Sequence, residues 1–212
     1  MIRSALLCAA LALGGYASAA WLTHGFQVWT AEGARRLDVA LAPVATPAVP
    51  AEGPGIARQP LTQLLAAGPS VTVVDFIYTR CQTLCLSLGG VFQQMQAQLQ
   101  AAAPGDAGAS RVKLLSISFD PRDTTPDLQA YAQRLRADPQ WWRFVRIGNP
   151  LDRQRLLADF QVTVVPDGRG DYEHNAALLV VDRQGRLVRI FDYADQQLAL
   201  DYARHLASGG AV

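Results

Sequence analysis

Apolar positions along the chain switch repeatedly between two periods, and the switch points outline a layered α/β domain. Residues 71–78 (VTVVDFIY) are β-branched, aromatic and almost continuously apolar, the pattern of a strand buried on both faces. Residues 86–103 place Leu88, Val91, Phe92, Met95 and Leu99 at helical spacing, and residues 111–119 (RVKLLSISF) predict a second strand. Thr124 supplies a capping hydroxyl ahead of Pro126, so a helix is expected from there to about Ala137. A short third strand over 144–147 and a helix over 151–160 follow. The runs 176–181 and 187–191 flank the turn sequence DRQG at 182–185 and predict a hairpin, and 195–206 closes the chain as an amphipathic helix. The order β-α-β-α-(β)-α-β-β-α predicts α/β layers with parallel strands and an antiparallel edge. A thioredoxin-like sandwich, a central mixed sheet flanked by helices, fits that order.

Upstream the pattern changes twice. Residues 5–22 form an uncharged apolar run behind Arg3, nearly long enough to span a bilayer core. The small residues Ala17, Ser18 and Ala19 also suit a signal-peptidase site, so both a membrane anchor and a removed signal peptide are open readings. Either one exports the rest of the chain: an inner-membrane protein facing the periplasm, or a soluble periplasmic one after cleavage. Residues 23–41 are ambiguous, because Thr30 and Glu32 suit a helix start while Phe26 and Val28 alternate as in a strand. Pro43, Pro47, Pro50, Pro54 and Pro60 then predict an extended linker or surface loop. The expected division is an anchor or signal at 1–22, a juxtamembrane segment and Pro/Ala-rich linker at 23–60, and the thioredoxin-like domain at 61–208.

Composition narrows the function classes. With 50% hydrophobic and 17% charged residues the chain suits one packed domain. A net charge of +1 without basic runs gives no nucleic-acid footprint. Three cysteines are too few for a disulfide-stapled scaffold. Cys8 lies in the apolar run behind Leu7, a poor lipoprotein site, which leaves Cys81 and Cys85 as the one close pair.

That pair falls between a predicted buried strand and the helix it feeds, where orphan N–H groups and the helix dipole stabilise thiolates. Close thiolates select soft cations such as Cu(I), or close to a disulfide. A third ligand must come from elsewhere. Of the histidines at 24, 174 and 205, only His174 is expected at the same end of the sheet, and Cys81, Cys85 and His174 would make a three-coordinate Cu(I) site. No fourth ligand is evident for structural zinc. Each residue also has a plainer reading: a structural disulfide for the pair, an exposed loop side chain for His174, an interfacial one for His24, and an offset to the helix dipole for His205. Turn and capping duties account for Asp120 and Asp123, and core packing for Trp141, Trp142 and Met95.

Three ordered blocks resemble the Sco/SenC family: DFIYTRCQTLC from Asp75 to Cys85, LSISFDPRDTTP from Leu115 to Pro126, and DYEH from Asp171 to His174 before a hairpin. The resemblance covers roughly residues 64–206. It implies a thioredoxin-like fold and copper, as Cu(I) or Cu(II), held by the matching Cys81, Cys85 and His174. It further implies a copper metallochaperone that assembles the binuclear copper centre of cytochrome c oxidase. The implied partner is that enzyme's copper-bearing subunit or another copper or thiol protein. Two departures stand out: Gln82 and Leu86 replace the proline usual after each cysteine, and the hairpin that commonly precedes the first core strand is not evident. The alternatives are a thiol–disulfide oxidoreductase with Cys81 and Cys85 as its redox pair, a thiol peroxidase, or a redox or copper sensor. The Cys-x-x-x-Cys spacing is one residue longer than the usual oxidoreductase pair.

Overall fold

The computed structural model describes residues 2–210 except 67, 69, 81–83 and 103–104, with only the backbone described at 84–88 and 107. Strand β4 (Val71–Ile77) is buried at all seven positions and lies near the middle of an eight-stranded mixed sheet. It pairs in parallel with β5 (Val112–Ser118), which pairs in parallel with β6 (Trp142–Arg146). On the other side of β4 lie β9 (Leu178–Val181) and β10 (Arg186–Phe191), each antiparallel to its inner neighbour.

The period of two in β4 divides the core. Val74 and Phe76 join an apolar cluster with Leu156 and Phe160 of the segment around α7 (Pro150–Asp159). Val71, Val73 and Ile77 join another, containing Phe92 and Met95 of α4 (Leu84–Gln100), Leu128 and Tyr131 of α6 (Thr125–Arg134), and Leu200 and Leu206 of α8 (Gln196–Ala207). Helices therefore cover both faces, as a nearly continuous apolar strand requires. The start expected for α6 is present in full: the Thr124 hydroxyl accepts from the Asp127 amide, and the Asp127 carboxylate accepts from the Thr124 amide at 2.8 Å. Trp142 and Met95 lie in the core, and the Trp142 indole donates to the Ser116 hydroxyl at 2.9 Å.

Upstream, α1 (Ile2–Leu22) is long and apolar enough to cross a membrane, and none of its residues is buried. The ambiguity over 23–41 resolves as a helix, α2 (Ala31–Leu41), whose Thr30 cap accepts from the Gly33 amide at 3.0 Å and whose Val39 enters the core.

The extended linker or surface loop expected over 42–60 is corrected. Strand β1 (Val44–Ala45) pairs with β10, while β2 (Pro50–Gly53) and β3 (Ile56–Pro60) form a hairpin added beyond β6. Pro50 and Pro60 face each other at the hairpin's outer end and Pro54 lies in its turn, places where a missing N–H is tolerated. Val49 and Ala51 are buried, so the segment belongs to the core. The short helices α3 (Leu61–Leu65) and α5 (Ala107–Ser110) also lie outside the pattern expected from periodicity.

Gly53 fixes how closely β2 approaches β6. A Cβ there would lie 2.0 Å from the Phe144 carbonyl oxygen and 3.1 Å from the Val145 Cα, backbone atoms that cannot rotate aside. Gly53→Ala should therefore destabilise the protein by about 2 kcal/mol or more. Urea denaturation would check this, and an unchanged midpoint would mean that the hairpin is not part of the cooperative fold.

Candidate functional site

The C-terminal ends of β4 and β5 form one rim of the sheet, where open α/β folds collect their chemistry. Beyond Ile77, β4 runs through Tyr78, Thr79 and Arg80 to Cys81. Cys81 lies outside the described residues; Cys85 is in the first turn of α4, and its side chain is likewise outside them. The paired cysteines are therefore placed by their elements: the strand end leading to one and the helix start carrying the other.

His174 arrives from the opposite direction. It ends β8 (Tyr172–His174), which pairs antiparallel with β7 (Val164–Pro166) in a small separate hairpin. The loop expected between 166 and His174 is thus the tip of a two-stranded ribbon. Its base is tied by Asn175, which accepts from the Thr163 amide at 2.8 Å and donates to the Gln161 carbonyl at 3.0 Å.

An aromatic cluster holds this ribbon against the rim. Tyr172 packs edge-on against Tyr78 at 5.2 Å between ring centroids and against Phe119 at 5.4 Å. The Tyr78 hydroxyl meets the Tyr172 backbone, donating to its carbonyl at 3.4 Å. The His174 ring stands edge-on to Phe119 at 5.1 Å, and both imidazole nitrogens are shut off from bulk solvent. His174 is consequently held on the residue that follows β5, beside the strand end that continues to Cys81.

Two carboxylates brace the same rim. Asp123, which sequence reading assigns to a turn, accepts from the Thr79 amide at 2.9 Å, the Thr79 hydroxyl at 2.6 Å and the Ser118 hydroxyl at 2.6 Å. It thereby binds the approach to Cys81 to the end of β5. Asp120 accepts from Arg80 at 2.5 Å and from the Arg122 Nε at 3.0 Å. Burial acts to raise the Asp120 pKa, but the Arg122 and Arg80 guanidinium groups outweigh it and hold the carboxyl below its usual range.

The other candidates lie elsewhere. The His24 Nε2 stands 3.5 Å from an Asp38 oxygen, and His205 occupies the last turn of α8. Among the described residues, which include neither Cys81 nor the Cys85 side chain, no group of three or more His, Cys, Asp or Glu could hold a metal. Two thiols and an imidazole form a donor set for a soft cation, and the sheltered ring of His174 suits a ligand kept from competing water. Tyr78, Phe119, Tyr172, Asp120, Asp123 and Arg122 complete the surroundings. All six fall within the three blocks that carry the family resemblance, but those blocks gave no partners.

Comparison with known proteins agrees with this architecture. The model of the SCO1/SenC family matches residues 60–207. Among solved structures, a SCO1/SenC family lipoprotein from Bacillus anthracis aligns at 21% identity and a TM-score of 0.66, covering 78% of this chain and 98% of its own. BsSco, described as a member of the Sco family of cytochrome c oxidase assembly proteins with a disulfide switch, aligns at 17% identity and 0.65, covering 79% and 95%. ScoI of Bradyrhizobium japonicum, solved with copper bound, aligns at 22% identity and 0.58, covering 78% and 98%. No curated protein matches the chain.

Proposed function

The chain belongs to the SCO1/SenC family, and from that premise we propose that it is a copper metallochaperone serving the binuclear copper centre of cytochrome c oxidase. Cys81 and Cys85 supply two thiolates and His174 a neutral imidazole nitrogen. The observation that carries this reading is the placement of His174: its ring nitrogens are withdrawn from solvent on Phe119, at the rim where β4 leads into Cys81. Copper bound to ScoI and the assembly role stated for BsSco support the cargo and the destination.

On this reading copper is cargo, handed to the partner by ligand exchange. Only the reduced pair binds it, because disulfide formation takes both sulfur donors into one bond. The apolar helix α1 serves as anchor or export signal, so that residues 61–208 face the periplasm. The proline-rich stretch before them, with β1 to β3, is structured support for that domain.

The test is an anaerobic Cu(I) titration of the reduced full chain in detergent, against a competing chelator, beside Cys81→Ser and His174→Ala. One copper per chain is expected, with binding abolished in Cys81→Ser and weakened at least about tenfold in His174→Ala. A wild-type chain that surrenders copper to a modest competitor would sink the chaperone reading. Rapid, reversible disulfide exchange with His174 dispensable would favour a thiol–disulfide oxidoreductase instead.

A further inference from the structure

The ligands proposed above come from two parts of the chain that share no hydrogen-bonded ladder: the stretch from the end of β4 to the start of α4, and the β7–β8 ribbon. Something must set their separation. Asp120, at the end of β5, has a fully buried side chain with 0% exposure and contacts both. Toward the cysteines, its Oδ2 accepts from Arg80, the residue before Cys81, at 2.5 Å. Toward the ribbon, its Oδ1 lies 3.5 Å from the Tyr172 hydroxyl, two residues before His174. It also receives Arg122 through both Nε and an Nη, each at 3.0 Å. That same Nη2 donates to the Gly170 carbonyl at the ribbon tip at 2.7 Å, and the guanidinium stands 5.5 Å from the Tyr172 ring centroid.

We propose that Asp120 is a positioning residue: through Arg80 on one side and Arg122 and Tyr172 on the other, it fixes the His174 ribbon against the chain end of β4 that precedes Cys81. The proposal rests on the reading of Cys81, Cys85 and His174 as copper ligands. A rigid fork between guanidinium and carboxylate constrains direction as well as distance, which a lone contact cannot. Asparagine in its place removes the charge and one of the two shared acceptor oxygens, so the tie from the ribbon through Arg122 to Arg80 weakens while the aromatic packing of Tyr172 on Tyr78 remains. The consequence falls on the third ligand. The two cysteines, four residues apart in the chain, do not depend on the ribbon.

The test compares Asp120→Asn in the wild-type and His174→Ala backgrounds, using the reduced full chain in detergent. Cu(I) competition gives affinity, and nitrogen hyperfine coupling in the EPR spectrum of the Cu(II) form reports the imidazole directly. Asp120→Asn should weaken copper at least about tenfold, the size typical of an outer partner of a metal ligand, and diminish the nitrogen coupling. In the His174→Ala background the same substitution should change affinity less than about twofold, since the ligand it positions is gone. Equal weakening in both backgrounds, or unchanged affinity and coupling in Asp120→Asn, would overturn the proposal.

Should Asp120→Asn fail to fold, Arg122→Gln replaces it. That side chain is 43% exposed, so its loss opens no cavity. Weakened nitrogen coupling is again expected, and a wild-type spectrum with wild-type affinity would overturn the role. A wild-type chain that holds no copper, or one indifferent to His174→Ala, would bring down the ligand reading itself, a result separable from failure of Asp120 alone.

Discussion

Replacing Asp75 by valine should stabilise the protein by about 4 kcal/mol at pH 8, because the wild-type carboxyl is fully buried and its charged form is not compensated for the loss of water. Asp75 sits in the middle of β4 on the face that carries Val73 and Ile77, against the apolar cluster of α4, α6 and α8. Burial pushes its pKa up from 3.8 to about 7, opposed only in part by the Ser116 hydroxyl and its own amide. The folded chain thus holds this proton more tightly than the unfolded chain. The destabilisation is absent below pH 3.8, grows as pH rises through the window to about 7, and is fully present above it. Valine removes the ionisable group and suits a buried strand. Urea denaturation at pH 4, 6 and 8 would check this: the gain should be largest at pH 8 and shrink toward pH 4. Wild-type and variant stabilities that stay parallel across that range would mean that Asp75 finds a partner when it ionises.

Much of the sheet was readable from periodicity because its central strands are apolar without interruption and its helices carry one clean stripe. β4, β5, β9, β10, α4, α6 and α8 all announce themselves in this way. The hairpin of β2 and β3 did not, since proline is normally evidence against a strand. Here the prolines occupy a strand's first residue, its partner's last and the turn between, where no ladder bond is forfeited. The β7–β8 ribbon was equally hidden: three residues per strand are too few to show a period.

The candidate site was legible in its donors and illegible in its supports, for a related reason. Thiols and an imidazole declare their chemistry by type, and a chain with one close cysteine pair behind an apolar N-terminal helix invites the question of a third ligand. Asp120 and Asp123 carry no such label. Their partners lie 40 and 44 residues away at Arg80 and Thr79, so a local pattern could offer only turn and capping duties. What brings them to the candidate site is the junction of β4 and β5 ends, which exists only once the parallel register brings Ile77 beside Ser118.

Asp123→Ala should be the costliest single change at this rim, lowering stability by about 3–5 kcal/mol. The carboxylate is buried and accepts from the Thr79 amide, the Thr79 hydroxyl and the Ser118 hydroxyl. Hydrogen bonds to a charged acceptor contribute about 1.5–3 kcal/mol each, and donors left buried and unmatched add their own penalty. Asp123→Asn keeps one acceptor oxygen but turns an amide NH2 toward these donors, so about half of that loss is expected. Denaturation curves for the two variants would show the order alanine below asparagine below wild type; alanine within about 1 kcal/mol of wild type would sink the argument. The functional consequence separates Asp123 from Asp120. Asp123 holds Thr79, on the path to Cys81, and its side-chain hydrogen bonds among the described residues go to Thr79 and Ser118 rather than to the ribbon of His174. Arg134, donating to the Thr79 carbonyl at 3.2 Å, and Arg80, bound to Asp120, are ties that remain to this stretch. On the proposed ligand set, copper affinity under native conditions should therefore fall in Asp123→Asn by a similar factor whether or not His174 is present, because the loosened stretch is the one that leads into Cys81. A loss confined to chains that retain His174 would instead place Asp123 with Asp120, acting on the approach of the third ligand.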